Sequence, residues 1–81
     1  MTREKPTSLT LRLGAKISKL RKSKGWTQKQ VEEMAGFHQG YVSRIENGLL
    51  QPELEGLAVL AKVFGLNLSR LLSGIDDEVS L

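Results

Sequence analysis

Leu13, Ile17 and Leu20 recur at i, i+4 and i+7, the spacing that lines apolar side chains along one face of an α-helix. Gly25 follows, a residue suited to the left-handed backbone that stops a helix, so a first helix is predicted from about Leu9 to Lys24. Thr27-Gln28-Lys29-Gln30 fits a capping box, in which the Thr hydroxyl takes the Gln30 amide and the Gln30 side chain reaches back. A second helix is predicted over 28–35, with Val31, Met34 and Ala35 inward and Trp26 placed to staple onto Val31. Gly36 stops it after barely two turns. A third helix is expected to start at His38 or Gln39 and to run to Asn47, before Gly48. Pro52 suits the first position of a fourth helix, whose core face is Leu54, Leu57, Leu60, Ala61 and Phe64 and which Gly65 ends. Asn67 caps a short fifth helix carrying Leu68, Leu71 and Leu72. No segment alternates as a strand does, so the expected fold is all-α with five helices. Gly56, inside the fourth, weakens it by about 1 kcal/mol relative to Ala, and the pattern offers no reason for it.

The third helix divides into two faces. Stepping 100° per residue from Gln39, the residues Tyr41, Val42 and Ile45 fall within an arc of roughly 200–300°. Gln39, Gly40, Ser43, Arg44 and Asn47 fall within roughly 0–140°. One side is an apolar back and the other a polar front. Glu46 is the helix's one acid and sits beside the apolar arc, which turns it inward.

The chain has 81 residues, enough for one small domain with one modest core. The division expected is an arm over 1–8, a folded domain over 9–73 and an acidic tail over 74–81 carrying Asp76, Asp77 and Glu78. There are no cysteines, which excludes disulfides, thiolate zinc sites and thiol nucleophiles, and the single His38 excludes a multi-histidine metal site. No nucleophile–base pair or metal cluster is apparent, so neither an enzyme nor a cofactor is expected. No apolar run approaches a membrane span or a signal-peptide core, so a soluble intracellular protein, without membrane contact, is expected. The net charge of +3 conceals an asymmetry: residues 1–30 carry nine cations against one anion, residues 31–81 three against eight. Such a split suits an oriented approach to a polyanion, although a solvated face of basic side chains on the first helix accounts for it equally well.

A short second helix, a tight turn at Gly36 and a third helix with a polar front make a helix-turn-helix, whose second helix enters the DNA major groove. Gly25-Trp26-Thr27-Gln28, Ala35-Gly36, the run Tyr41-Val42-Ser43-Arg44-Ile45-Glu46-Asn47-Gly48 and Pro52 resemble the lambda-repressor-like helix-turn-helix family (Cro/cI type, also called XRE). Leu57, Leu60-Ala61-Lys62, Phe64-Gly65-Leu66 and Leu71-Leu72 extend the resemblance, which covers roughly residues 11–73. It implies that Gln39, Gly40, Ser43 and Arg44 hold the base-reading positions. A guanidinium at Arg44 suits O6 and N7 of guanine, and the Gln39 amide suits adenine. Gly40 departs from the usual larger residue: it removes one contact or brings the backbone closer to the groove. The phosphate-facing set is Thr27, Gln28, Lys29, His38, Tyr41 and Asn47, with Gln28 at a helix N-terminus that favours anions. The resemblance also implies an ion pair between Arg21 on the first helix and Glu46 on the third.

Bland readings stand beside these. Trp26, Met34 and Phe37 are core and staple rather than a base-stacking platform. The Lys16–Lys24 run is read as a solvated face, with phosphate contact by some of its lysines as the alternative. Val59 and Val63 lie off the core arc of the fourth helix, and with Leu68, Leu72 and Ile75 they offer a surface for a homodimer, or else they finish the monomer core. The expected function is a sequence-specific, operator-binding transcriptional regulator of double-stranded DNA, in the bacterial cytoplasm or phage-encoded, with no small-molecule effector evident. The alternatives are an antitoxin or a restriction–modification controller of the same fold, which genomic neighbours separate. A protein-interaction or coactivator module is a further alternative, separated by its weak binding to random DNA.

Overall fold

The computed structural model describes residues 8–76 as five helices: α1 (Ser8–Ser23), α2 (Gln28–Ala35), α3 (Tyr41–Glu46), α4 (Leu54–Val63) and α5 (Leu68–Leu72). Ile17, Val31, Val42, Ile45, Leu60 and Leu71 are fully buried. Every helix contributes at least one of them, and their convergence gathers the five around one core. Leu13, Ala61 and Phe64 complete the buried set, and Trp26 stacks on Phe64 with ring centroids 6.0 Å apart. Among the described residues no helix is long and apolar enough to cross a membrane.

The local signals act largely as read. Both halves of the capping box form: Gln30 N donates to Thr27 Oγ1 at 3.0 Å, and Thr27 N donates to Gln30 Oε1 at 2.8 Å. Asn67 Oδ1 accepts from Arg70 N at 2.8 Å and opens α5. Three expectations need correction. Pro52 is not the first residue of α4, because Glu53 takes an extended backbone (φ −71°, ψ 166°) and becomes the N-cap; Pro52 is buried ahead of it. Leu54, expected in the core, is 66% exposed, since α4 meets the core only from its second turn. Met34 is 48% exposed, because α2 is rotated so that Val31 and Glu32 take the buried places. The expected arm lies outside the described residues except Ser8, which opens α1; of the tail, residues 77–81 lie outside them.

Two features place α3. The first is a close crossing with α1. Gly14 is buried, and a Cβ there would collide with the carbonyl oxygen of Ile45 and come within 2.7 Å of that of Glu46. The second lies under α3, where a Cβ on Gly56 would come 3.3 Å from the Tyr41 hydroxyl and 3.5 Å from Pro52 Cβ. The glycine the pattern left without a reason is the seat of Tyr41.

The first and last helices are sewn together by cations. Lys16 Nζ donates to the carbonyls of Arg70 (2.8 Å) and Ser73 (2.6 Å). Arg12 donates through Nη2 to the Gly74 carbonyl (3.0 Å) and through Nε to that of Ile75. These carbonyls close the C-terminal end of α5, where the helix dipole favours positive charge. The crossing makes the sharpest stability prediction: Gly14→Ala forces α1 and α3 apart and lowers unfolding free energy by about 1–3 kcal/mol, as overpacking does, read from the denaturant midpoint.

Candidate DNA interface

The turn between α2 and α3 is built from two left-handed glycines. Gly36 (φ 74°) ends α2, and its N–H and that of Phe37 both point to the Glu32 carbonyl, Phe37 at 2.9 Å. Gly40 (φ 87°) precedes α3 and, as its N-cap, accepts from Arg44 N at 3.1 Å. A left-handed residue is no part of a right-handed helix. The recognition helix expected over 39–47 is therefore shortened to Tyr41–Glu46, with Asn47 as its C-cap. Gln39 and Gly40 lie in the turn before it and not on its face. The backbone itself calls for glycine at position 40, since its φ is one that side-chain-bearing residues rarely adopt.

The back of α3 is closed. Val42 and Ile45 are buried, and the half-buried Tyr41 ring packs on Phe37 with centroids 4.4 Å apart. The front is open: Arg44 and Asn47 are exposed and Ser43 is half-buried, its hydroxyl 3.4 Å from Asn47 Nδ2. Gln39, His38, Thr27 and Lys29 are exposed around it.

Glu46 is turned away from this front. Arg21 Nε donates to its Oε2 at 2.7 Å and Arg21 Nη2 to its Oε1 at 3.0 Å. Arg21 Nη1 also donates to the Trp26 carbonyl at 2.9 Å, tying α1 to the start of α2. Gln28 Nε2 donates to Glu46 Oε1 at 2.9 Å, so one hydrogen of that amide is already committed within the fold. Burial pushes the Glu46 carboxyl up, but hydrogen bonds from Arg21 and Gln28 and the charges of Arg21 and Lys22 outweigh it and hold the group below its usual value. The hydrogen bond to Glu46 holds the Arg21 guanidinium above its ordinary value against opposing burial, with the carboxylate's charge adding to the rise.

The model of the family described as Helix-turn-helix (HTH_3) matches residues 17–71. The chain belongs to this family, the XRE or Cro/cI type. The regulator is similar to the uncharacterized HTH-type transcriptional regulator y4dJ of Sinorhizobium fredii, 35% identical over 65 residues that span 80% of this chain and 84% of that one. Among solved structures it resembles the clp gene regulator ClgR from Corynebacterium glutamicum, at TM-score 0.78 and 28% identity, covering 85% of this chain and 73% of the other. It also resembles SinR, a master regulator for biofilm formation solved in complex with DNA, at TM-score 0.69 and 31% identity, covering 75% and 98%. The chain is an HTH-type DNA-binding transcriptional regulator with the five-helix, lambda-repressor-like fold.

Two structural features of the regulator escaped the sequence reading. Glu32, buried on α2, accepts from Val42 N at 3.0 Å, and Gly14 sets the α1–α3 distance. Of the expected dimer residues, Val63, Leu68, Leu72 and Ile75 pack in part on the domain's own core, and Val59 is half-buried. Lys16, from the basic run, is turned to α5, whereas Lys19, Lys22 and Lys24 are exposed.

Glu46 gives the regulator a signed pH dependence. Its folded pKa is depressed, so its contribution is complete above the unfolded carboxyl value near 4.3 and is lost as pH falls through the lower folded value. Stability therefore rises with pH across that window. Glu46→Gln is expected to flatten this part of the profile. Leaving Arg21 without its carboxylate is also expected to cost about 3–5 kcal/mol at neutral pH, as for other pairs buried like this one. Denaturant melts from pH 3 to 7 read both.

Proposed function

We propose that the chain is a sequence-specific operator-binding regulator that reads the major groove with the open front of α3 and acts as a homodimer. One observation carries the reading: α3 presents Arg44 to solvent with Ser43 beside it, while Glu46, the only acid on that helix, is held inward by Arg21. A groove about 12 Å wide admits one such helix, and an inward acid leaves no like charge against the phosphates. Arg44 takes O6 and N7 of guanine, Ser43 reads a neighbouring base edge, and Gln39 reaches adenine from the turn. Gly40 contributes close backbone approach and no side chain. Thr27, Gln28 and Lys29 at the start of α2, with His38, Tyr41 and Asn47, form the phosphate contacts that set register. Gln28 does so with its second amide hydrogen.

DNA as the partner is supported by the likeness to SinR, whose solved structure includes DNA. The homodimer is supported by half-buried apolar side chains on and after α4 and α5, namely Val59, Val63, Leu68, Leu72 and Ile75. A two-fold pairing places two α3 helices about 34 Å apart, one turn of DNA. No cofactor and no small-molecule effector enters this reading.

Selection of bound sequences from random double-stranded DNA tests it. A two-fold symmetric consensus is expected; no enrichment of any sequence overturns the reading. Arg44→Ala is expected to cost about 1–3 kcal/mol and to relax preference at one base pair per half-site. Lys29→Ala is expected to weaken all sequences alike and to reduce the salt slope by about 1. Sedimentation showing monomer alone, with and without the selected operator, removes the dimer.

A further inference from the structure

We infer that Glu32 is a positioning residue for base reading: its buried carboxylate caps the recognition helix and fixes the direction in which Ser43 and Arg44 leave the domain. The inference rests on the reading of α3 as the helix that meets the bases.

The N-terminal N–H groups of an α-helix have no partner within the helix. In α3 the residue at the N-cap is Gly40, which has no side chain to offer. Tyr41 N donates instead to the His38 carbonyl at 3.1 Å, and Val42 N donates to Glu32 Oε2 at 3.0 Å. The cap is thus supplied from the preceding helix. Glu32 is 5% exposed and, among the described residues, is the charged side chain in the buried set. A carboxylate is held there only if it is hydrogen-bonded, and a helix N-terminus is where negative charge is favoured.

The main chain of the same residue holds the other side of the turn. The Glu32 carbonyl accepts the N–H groups of Gly36 and Phe37. One residue therefore ends α2 with its backbone and starts α3 with its side chain, ten positions on. A shallow cleft lined by Lys29, Glu32, Glu33, Phe37 and Gln39 lies at this elbow, so the capping side chain also borders the turn that carries Gln39. At its far end α3 is held through Glu46 by Arg21 and Gln28. A six-residue helix is thus held through a carboxylate at each end, the Glu32 cap at its start and its own Glu46 in the hands of Arg21 and Gln28 at its finish, and Ser43 and Arg44 lie between the two.

Three versions of the full chain decide the matter: wild type, Glu32→Gln, which keeps an oxygen acceptor, and Glu32→Met, which keeps the length and loses it. Amide exchange in the wild type is expected to show Val42 protected like Ile45, and exchange of Val42 at the rate of an open amide overturns the cap. Binding is then compared on the selected operator and on random DNA, at temperatures where each version is folded by circular dichroism. The ratio of the two affinities is expected to stay near wild type for Glu32→Gln and to fall about fivefold to tenfold for Glu32→Met. Affinity for random DNA is expected to hold, which a loss of stability alone does not explain away. An unchanged ratio in Glu32→Met overturns the positioning role, as does a Glu32→Gln ratio as low as that of Glu32→Met. If Glu32→Met does not fold, Val42 protection and the binding ratio of Glu32→Gln against wild type decide: both retained supports the inference, and either lost overturns it. A wild type with Val42 protected but no preference for any sequence overturns base reading by α3, and the positioning role with it, while the cap stands.

Discussion

α3 is too short to hold itself in place, so everything turns on how α1 grips it. Six residues make fewer than two turns, and isolated helices of that length do not persist in water. α1 approaches closely enough at Gly14 to touch the carbonyls of Ile45 and Glu46, and Arg21, two turns further along α1, takes both oxygens of the Glu46 side chain. The same guanidinium holds the Trp26 carbonyl, and Gln28 reaches the same carboxylate from α2. Helices 1, 2 and 3 therefore meet at one ionic knot, and the acid most able to repel a phosphate is the one consumed in it.

What the knot does for the end of α3, the turn does for its beginning. Left-handed backbone at Gly36 and Gly40 reverses the chain in few residues, and the buried Glu32 supplies the cap that a glycine lacks. The apolar back of α3 completes the arrangement, with Val42 and Ile45 sealed in the core and Tyr41 laid between Phe37 and the bare backbone of Gly56. Only polar and cationic side chains are left to face outward.

Much of this was legible because the signals are local. The capping box at Thr27, the Asn67 cap, the glycine stops and the apolar stripe through Leu13 and Ile17 each depend on neighbours within a few residues, and α1, α2 and α5 stand within one residue of place. The inward place of Glu46 followed from a helical wheel. What was not legible depends on pairs distant in the chain. A wheel shows Glu32 as one more acid on an amphipathic helix; that it is buried depends on a partner ten residues later. Gly14 reads as an ordinary weak point in α1 until Ile45 lies against it. The start of α3 was misplaced because a glycine within a polar run does not declare the sign of its φ. Pro52 was placed two positions too far into α4 because Glu53 gives no side-chain sign of being a cap. The proposed base-reading set inherits that limit: Ser43 and Arg44 share a helix, whereas Gln39 belongs to a turn.

The cations of α1 that grasp the end of α5 bind residues more than fifty positions away along the chain. Contacts that span so much chain recover their loop-closure entropy only once the intervening helices exist. The seam between first and last helix thus closes a loop of more than fifty residues, like a clasp that joins the two ends of a bracelet.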